Sequence, residues 1–201
     1  IDRGELVAIV GPSGSGKTTA MYIMGLMQKP TSGRVLCAGQ DMSHADAATC
    51  AAMRRQHIGF VFQQFLLLPR LTVLENVMLP LHYAGVPAAQ AEQRARLLLT
   101  DLSMTDFAAR KPDALSGGQQ QRIAIARAMV GQPGVLLADE PTGALDSSTG
   151  DQMLELLTSY PKTHNAAVVI VTHDESVAQR CDRVITICDG CMSSTDGGIS
   201  S

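Results

Sequence analysis

Two hundred and one residues make one domain, or one with a subdomain, and suffice for an ample core. Lysine plus arginine number 16 against 19 aspartate plus glutamate, a net charge of −3, so no basic field recommends nucleic acid as a partner. Aromatics are only 3%, so small aliphatics must fill the core, and no run approaches the roughly 18 apolar residues of a membrane span.

Leu6-Val7-Ala8-Ile9-Val10 is a short unbroken apolar run, the pattern of a strand buried on both faces of a parallel sheet. It leads into Gly11-Pro12-Ser13-Gly14-Ser15-Gly16-Lys17-Thr18-Thr19, which reads Gly, four residues, Gly-Lys-Thr, the phosphate-binding P-loop pattern. Residues 19–27 continue as a helix, which puts the glycines at a strand-to-helix turn. A triphosphate brings several negative charges, and glycines let the backbone curl until successive N–H groups point inward. The helix adds unpaired amides and the positive end of its dipole. In this arrangement Lys17 reaches the β- and γ-phosphate oxygens and the Thr18 hydroxyl ligates Mg²⁺.

Lys29-Pro30-Thr31-Ser32-Gly33 reads as a turn, Arg34-Val35-Leu36-Cys37 as a short strand and Gly39-Gln40-Asp41 as a second turn. A helix capped by Ser43 is expected to run to about Gln56. Ile58-Gly59-Phe60-Val61-Phe62 is strand-like and ends at Gln63. From residue 64 to 115 no strand pattern occurs. Thr72-Val73-Leu74-Glu75 is a capping box opening a helix that must stop near Pro80, and Pro87 takes a first helical position before the good helix formers of residues 88–99. This stretch is expected to be a helical subdomain inserted into an α/β body.

In Leu115-Ser116-Gly117-Gly118-Gln119-Gln120-Gln121-Arg122, Ser116 and Gln119 have capping-box spacing, and residues 123–130 continue an apolar helix. A Gly-Gly pair at a helix N-terminus builds a core poorly and lets an anion approach well. Val135-Leu136-Leu137-Ala138 is a buried-strand run ending in Asp139-Glu140-Pro141, and adjacent carboxylates there suit the ligand edge of an open α/β sheet. Asp139 is expected to hold Mg²⁺ through a water, and Glu140 to polarise the attacking water as general base.

Gly143-Ala144-Leu145-Asp146 reads as a loop, and residues 151–158 as a helix. Ala167-Val168-Val169-Ile170-Val171-Thr172 is a third buried strand, ending at His173 on the expected ligand edge. His44, His57, His82 and His164 read as surface or satisfied residues. Val184-Ile185-Thr186-Ile187 is a strand leading into a hairpin at Asp189-Gly190, and residues 193–201 a flexible tail. The five cysteines, Cys37, Cys50, Cys181, Cys188 and Cys191, read as reduced thiols of a cytosolic protein. Cys188 and Cys191 form a C-x-x-C, but the hairpin signal lies between them and no second ligand pair is near.

The order P-loop, Gln63, Leu-Ser-Gly-Gly-Gln, Asp139-Glu140, Ala-Leu-Asp, His173 resembles the nucleotide-binding domain of ATP-binding-cassette (ABC) proteins, over almost the whole chain. The resemblance implies an α/β fold: a P-loop NTPase core with a mostly parallel sheet (1–63 and 131–192) and an inserted α-helical subdomain carrying the signature (64–130). It further implies that Gln63 is the Q-loop Mg²⁺ ligand that senses a membrane partner. Ser116, Gly117, Gly118 and Gln119 become the signature that closes over ATP held by an opposite subunit, Asp146 the D-loop aspartate at the dimer seam, and His173 the switch histidine on the γ-phosphate. The implied partners are ATP, a second ABC domain and a transmembrane permease, separate or fused, at the cytoplasmic face of the inner membrane.

Within the class, Ile58-Gly59-Phe60-Val61-Phe62-Gln63-Gln64-Phe65, Leu71-Thr72-Val73-Leu74-Glu75-Asn76-Val77 and Gln119-Gln120-Gln121-Arg122 are similar to the macrolide-exporter and lipoprotein-releasing group. A regulatory, non-transporting ATPase of the cell-division type stays open, because substrate choice lies in the partner. A DNA-repair ATPase of the coiled-coil kind needs a far longer insertion than residues 64–115. A plain kinase or GTPase leaves Leu115 to Gln119 unexplained. The family places an adenine-stacking aromatic ahead of the P-loop, and none precedes Gly11 here. The expectation is an N-terminal piece removed before Ile1 and weakened nucleotide affinity for this 201-residue stretch.

Overall fold

Leu6–Val10 forms strand β1, and residues 11–16 turn the chain into helix α1, Lys17–Met24. The short strands β2 (Leu36–Cys37) and β3 (Gln40–Asp41) follow, then α2 (Ala47–His57) and β4 (Ile58–Val61). Next come α3 (Val73–Tyr83), α4 (Ala88–Asp101) and α5 (Gly117–Met129), with 3-10 turns at Thr105–Phe107 and Pro112–Ala114. The order closes with β5 (Val135–Asp139), α6 (Ser147–His164), β6 (Ala167–Val171), α7 (Glu175–Ala178), β7 (Arg183–Cys188) and β8 (Cys191–Thr195). These elements come from a computed structural model that describes residues 1–143 and 145–195.

The six-stranded sheet has the order β4-β5-β6-β1-β7-β8, and every neighbouring pair is parallel except β7 with β8. From β1 the chain crosses to β4 at the sheet's edge and returns through β5 and β6. The C-terminal ends of β4, β5, β6 and β1 therefore open on one edge, where ligands bind in open α/β sheets.

The unbroken apolar runs exist because both faces of the sheet are covered. Leu6, Leu136, Val168 and Ile170 pack with Ile125 of α5 and with Met153, Leu157 and Tyr160 of α6. Their neighbours Val7, Ile9, Leu137, Val169 and Val171 pack with Met21 of α1. Each such aliphatic side chain, fully buried, stabilises the fold by about 1.5–3 kcal/mol. Helix α5 serves two cores. Its Ile125 and Met129 meet the sheet, while Ile123 and Ala126 pack with Val73, Val77 and Leu81 of α3 and Ala95 and Leu99 of α4. Among the described residues no helix is long and apolar enough to cross a membrane.

Several boundaries fall elsewhere than the sequence pattern places them. Gln40 and Asp41 are strand, paired with Cys37 and Leu36, and the reversal is at Ala38 and Gly39, with φ of 49° and 78°. Ser43 does not cap α2. Its hydroxyl donates to Asp41 at 2.6 Å and accepts from the Val35 N–H at 2.8 Å, and Asp46 is the cap, accepting from the Thr49 N–H at 2.7 Å. Helix α3 runs past Pro80 although the proline costs it one backbone hydrogen bond, because Val77 and Leu81 hold it in the helical core, and the Pro80 carbonyl still accepts from the Ala84 N–H at 3.0 Å. Pro87 stands before α4 rather than within it, and α4 continues to Asp101. Helix α6 begins at Ser147 and passes through Pro161, since burial of Leu157 and Tyr160 holds it to the sheet. Residues 193–195, expected as the start of a flexible tail, belong to β8, with Ser194 opposite Ile185. The rest of that tail, 196–201, lies outside the described residues.

Candidate functional site

The turn from β1 to α1 is sharp, and its glycines make it possible. Gly16, the residue before α1, is left-handed at φ 105°, a conformation side chains rarely adopt. A Cβ at Gly11 would stand 2.1 Å from the Ile187 carbonyl oxygen, so the loop lies this close to β7 only with glycine there. Lys17 Nζ donates to the carbonyls of Gly11 at 2.8 Å and Pro12 at 2.9 Å, which holds the ammonium over the loop. Pro12, Ser13, Gly14, Thr18 and Thr19 are exposed. Ser15 is buried and its Oγ has no hydrogen-bond partner in the protein, while its carbonyl accepts from the Gly190 N–H at 3.1 Å.

Two strands away, the register pairs Asp139 with Val171, so Asp139-Glu140 and Thr172-His173 leave β5 and β6 side by side. Glu140 sits at φ 44°, a left-handed backbone that costs on the order of 1–3 kcal/mol. Its surroundings hold it there: its N–H donates to the Val171 carbonyl at 2.9 Å, and its carboxylate accepts from the His173 N–H at 3.0 Å. His173 Nδ1 donates to the same Oε1 at 2.7 Å, since an ionised carboxylate only accepts, and the Thr172 hydroxyl reaches Oε2 at 3.3 Å. The Glu140 side chain is 15% exposed and that of His173 75%, so the carboxylate is fixed while the imidazole is open to a ligand. Burial, and then the Glu140 charge, push the Asp139 carboxyl above its ordinary range, against a smaller opposing pull from Lys17. Gln63, just past β4, brings its amide to the same turn: a Cβ on Gly143 would be 3.7 Å from Gln63 Nε2.

The Ser116-Gly117-Gly118-Gln119 stretch forms the N-terminus of α5. The Ser116 hydroxyl accepts from the Gln119 N–H at 3.3 Å, and the Gln119 Oε1 accepts from the Ser116 N–H at 3.0 Å, a complete capping box. Gly118 faces α6, where a Cβ would be 2.8 Å from Thr149 Cγ2. Asp146 caps α6, accepting from the Ser148 hydroxyl at 2.7 Å and the Thr149 N–H at 3.0 Å, and these bonds hold its carboxyl down at about 2. Ser116, Gly117, Gly118, Gln119, Arg122 and Asp146 line one polar cavity of about 470 Å³. No residue of the 11–19 loop lines it, so one chain presents two separate groups of candidate residues. Ala144 lies outside the described residues.

Sequence reasoning passed over the residues that tie these parts together. Buried Gln121 donates from Nε2 to the Pro141 carbonyl at 2.8 Å, and its Oε1 has no partner in the protein. Arg127 donates to the carbonyls of Leu66 at 2.7 Å and Phe65 at 2.9 Å. Buried Asn76 accepts from the Leu68 N–H at 2.8 Å and donates to the Thr72 carbonyl at 2.9 Å. A polar residue in line with an apolar one on a helix, as Gln121 is one turn before Ile125, was the available signal.

A family profile described as ABC transporter matches residues 1–143. The chain is 47% identical over its full length to the macrolide export ATP-binding/permease protein MacB of Bradyrhizobium diazoefficiens, and 49% identical over 98% of its length to that of a Shewanella species. It spans only 31% and 30% of those two proteins. Among solved structures, it is similar to the dimeric post-hydrolysis state of the ATP-binding cassette MJ0796 bound to ADP and Pi. The TM-score there is 0.89 at 44% identity, covering 96% of this chain and 87% of that one. The dimeric structure of MJ0796 described as a bacterial ABC transporter cassette matches equally well.

Proposed function

The chain belongs to the ABC transporter family, and on that premise we propose that it is an ATP-hydrolysing domain that drives a membrane exporter of the macrolide-export kind. The observation that carries the reading is the convergence at one sheet edge of the 11–17 loop, Asp139-Glu140 and His173. The backbone N–H groups of the 11–16 loop, Pro12 excepted, and the α1 N-terminus offer donors to the phosphates, and Lys17 moves its ammonium from the loop carbonyls to the β- and γ-phosphate oxygens.

Thr18, Gln63 and Asp139 are the residues that would hold Mg²⁺. Their donors are all oxygens, as a hard cation requires, and the raised Asp139 carboxyl is one that a cation's charge would relieve. When bound, the ion neutralises charge on the β- and γ-phosphate oxygens. Glu140, oriented by the His173 N–H and Nδ1, accepts the proton of the attacking water, and His173 turns its open edge to the γ-phosphate.

The cavity at Ser116 to Gly118 is separate from the 11–17 loop in one chain, which supports a head-to-tail dimer in which each signature completes the partner's site. A permease at the cytoplasmic face of the membrane is the partner moved by that closure, with this domain peripheral to it. Size-exclusion chromatography with light scattering on Glu140→Gln, with and without Mg-ATP, tests the reading. The expected result is an ATP-dependent shift from monomer to dimer, and a protein that binds ATP yet stays monomeric overturns it.

A further inference from the structure

Cys188 and Cys191 are directly opposed register partners at the tip of the β7–β8 hairpin, with Asp189 and Gly190 between them at φ 49° and 75°. Two left-handed residues in succession make the reversal whose twist suits the flanking strands. Opposed partners carry their side chains on the same face, with Cα atoms about 4.5–5.5 Å apart. That spacing lies within the roughly 4.4–6.8 Å a disulfide bridges. Both thiols are free and exposed, whereas Cys37 and Cys50 are buried and Cys181 half-buried.

The tip is joined to the phosphate loop. Gly190 donates its N–H to the Ser15 carbonyl at 3.1 Å, a Cβ on Gly16 would lie 4.0 Å from Gly190 Cα, and Gly11 lies against the Ile187 carbonyl. Whatever alters the twist of this turn acts on the 11–16 backbone.

We propose that Cys188 and Cys191 form a reversible disulfide across the hairpin tip, by exchange with a low-molecular-weight disulfide such as oxidised glutathione, and that its closure loosens the phosphate loop. One cysteine thiolate attacks the glutathione disulfide and releases one glutathione thiolate. The second cysteine, as thiolate, attacks the protein sulfur of the mixed disulfide and releases the other. Two protein thiols are oxidised, one glutathione disulfide is reduced to two thiols, and the two protein protons pass to the released thiolates. A disulfide draws Cβ atoms to about 3.8 Å, closer than the roughly 4.5–5.5 Å of an unlinked cross-strand pair. The turn tightens and Gly190 is drawn off the Ser15 carbonyl.

The disulfide stands independently of the function proposed above; its effect on nucleotide rests on that function. The test is to equilibrate the whole chain in glutathione buffers of graded potential, then map disulfides by mass spectrometry after thiol alkylation. Amide exchange of Gly190 is followed without nucleotide, and binding of a fluorescent ADP analogue is measured on the reduced and oxidised forms. The expected result is a 188–191 cross-link reversed by dithiothreitol, faster exchange at Gly190, and ADP affinity lower by about threefold to tenfold, the worth of one hydrogen bond. Cys188→Ser and Cys191→Ser proteins keep the reduced-form affinity throughout. Persistent glutathione adducts or cross-linked dimers in place of the 188–191 bond overturn the proposal, as does a cross-link that leaves Gly190 exchange unchanged. Failure of the reduced protein to bind the ADP analogue overturns the nucleotide function instead, and leaves the cross-link and exchange results standing.

Discussion

Gln121→Met is the substitution that best separates stability from positioning. The side chain is fully buried, its Nε2 holds the Pro141 carbonyl at 2.8 Å, and its Oε1 is unpaired. Methionine has the same length and no hydrogen-bonding atom of consequence. Losing the bond leaves the buried Pro141 carbonyl unpaired, which costs about 1–3 kcal/mol. Removing the orphaned Oε1 returns a desolvation penalty of about 1–3 kcal/mol. The opposing contributions nearly offset, so urea unfolding is expected to place the variant within about 1.5 kcal/mol of the parent. Turnover should behave differently. Pro141 follows Glu140, whose left-handed turn is anchored on the other side by the Val171 carbonyl, the Thr172 hydroxyl and His173. A loss of positioning worth about 1.4 kcal/mol lowers kcat tenfold, with little change in ATP affinity because no loop residue is touched. ATPase assays at saturating Mg-ATP read this directly. Unchanged turnover in a folded Gln121→Met protein would refute the idea that Gln121 positions the Glu140 turn.

Two further substitutions test the local reasoning. Gly11→Ala should destabilise the protein by clearly more than Gly14→Ala, because a Cβ at Gly11 meets the Ile187 carbonyl at 2.1 Å while one at Gly14 meets nothing within 4 Å. Both have positive φ, 150° at Gly11 and 79° at Gly14, so each substitution carries a backbone cost, and only Gly11 adds a clash with the backbone of β7; equal midpoints in urea would refute it. The Asp146 carboxyl is held near 2 against an ordinary 3.8 by the Ser148 and Thr149 hydrogen bonds, so its ionised form favours the folded state. That contribution is fully present above about pH 4 and is lost as the pH falls through 2. Asp146→Asn keeps a capping oxygen and should flatten this part of the pH–stability curve, as thermal melts between pH 2 and 5 would read; parallel curves for the two proteins would count against it.

What the sequence made legible follows from short range. Strand ends with fixed chemistry, Gly11 to Thr19, Asp139-Glu140 and His173, could be placed because an apolar run specifies a buried strand and the residue after it must stand at the sheet edge. The capping boxes at Thr72 and Ser116 were legible for the same reason: donor and acceptor lie three residues apart. Pro80 misled, because a helix end is decided by what the helix packs on, and the α3 core outweighs one missing bond; α6 passes Pro161 for the same reason. Ser43 misled because its hydroxyl had a better local partner in Asp41. The Gln121 and Arg127 hydrogen bonds were beyond reach, since their partners lie 20 and 61 to 62 residues away and are chosen by tertiary packing; the partners of Asn76 are local, and what hid it is that tertiary packing decides its burial.

Helix α5 explains why those hidden bonds matter. Its N-terminus carries Ser116 to Gly118, Gln121 in its second turn holds Pro141, and Arg127 near its end holds the carbonyls of Phe65 and Leu66. Gly117 and Arg127 are about 15 Å apart along the axis at 1.5 Å per residue. Over that length the helix is wedged between the sheet and α3 with α4, so it moves as one piece or not at all. A ligand that pulls on the Ser116 end therefore acts at once on the turn that carries Glu140 and on the segment after Gln63, where Leu66 and Leu68 are exposed. Were Gln121 only a buried spacer, the chain would be expected to use a leucine there, which fills the same volume with no orphaned oxygen. The unpaired Oε1 is the cost of joining these two ends, and it is why the Gln121→Met effect is expected in turnover rather than in stability.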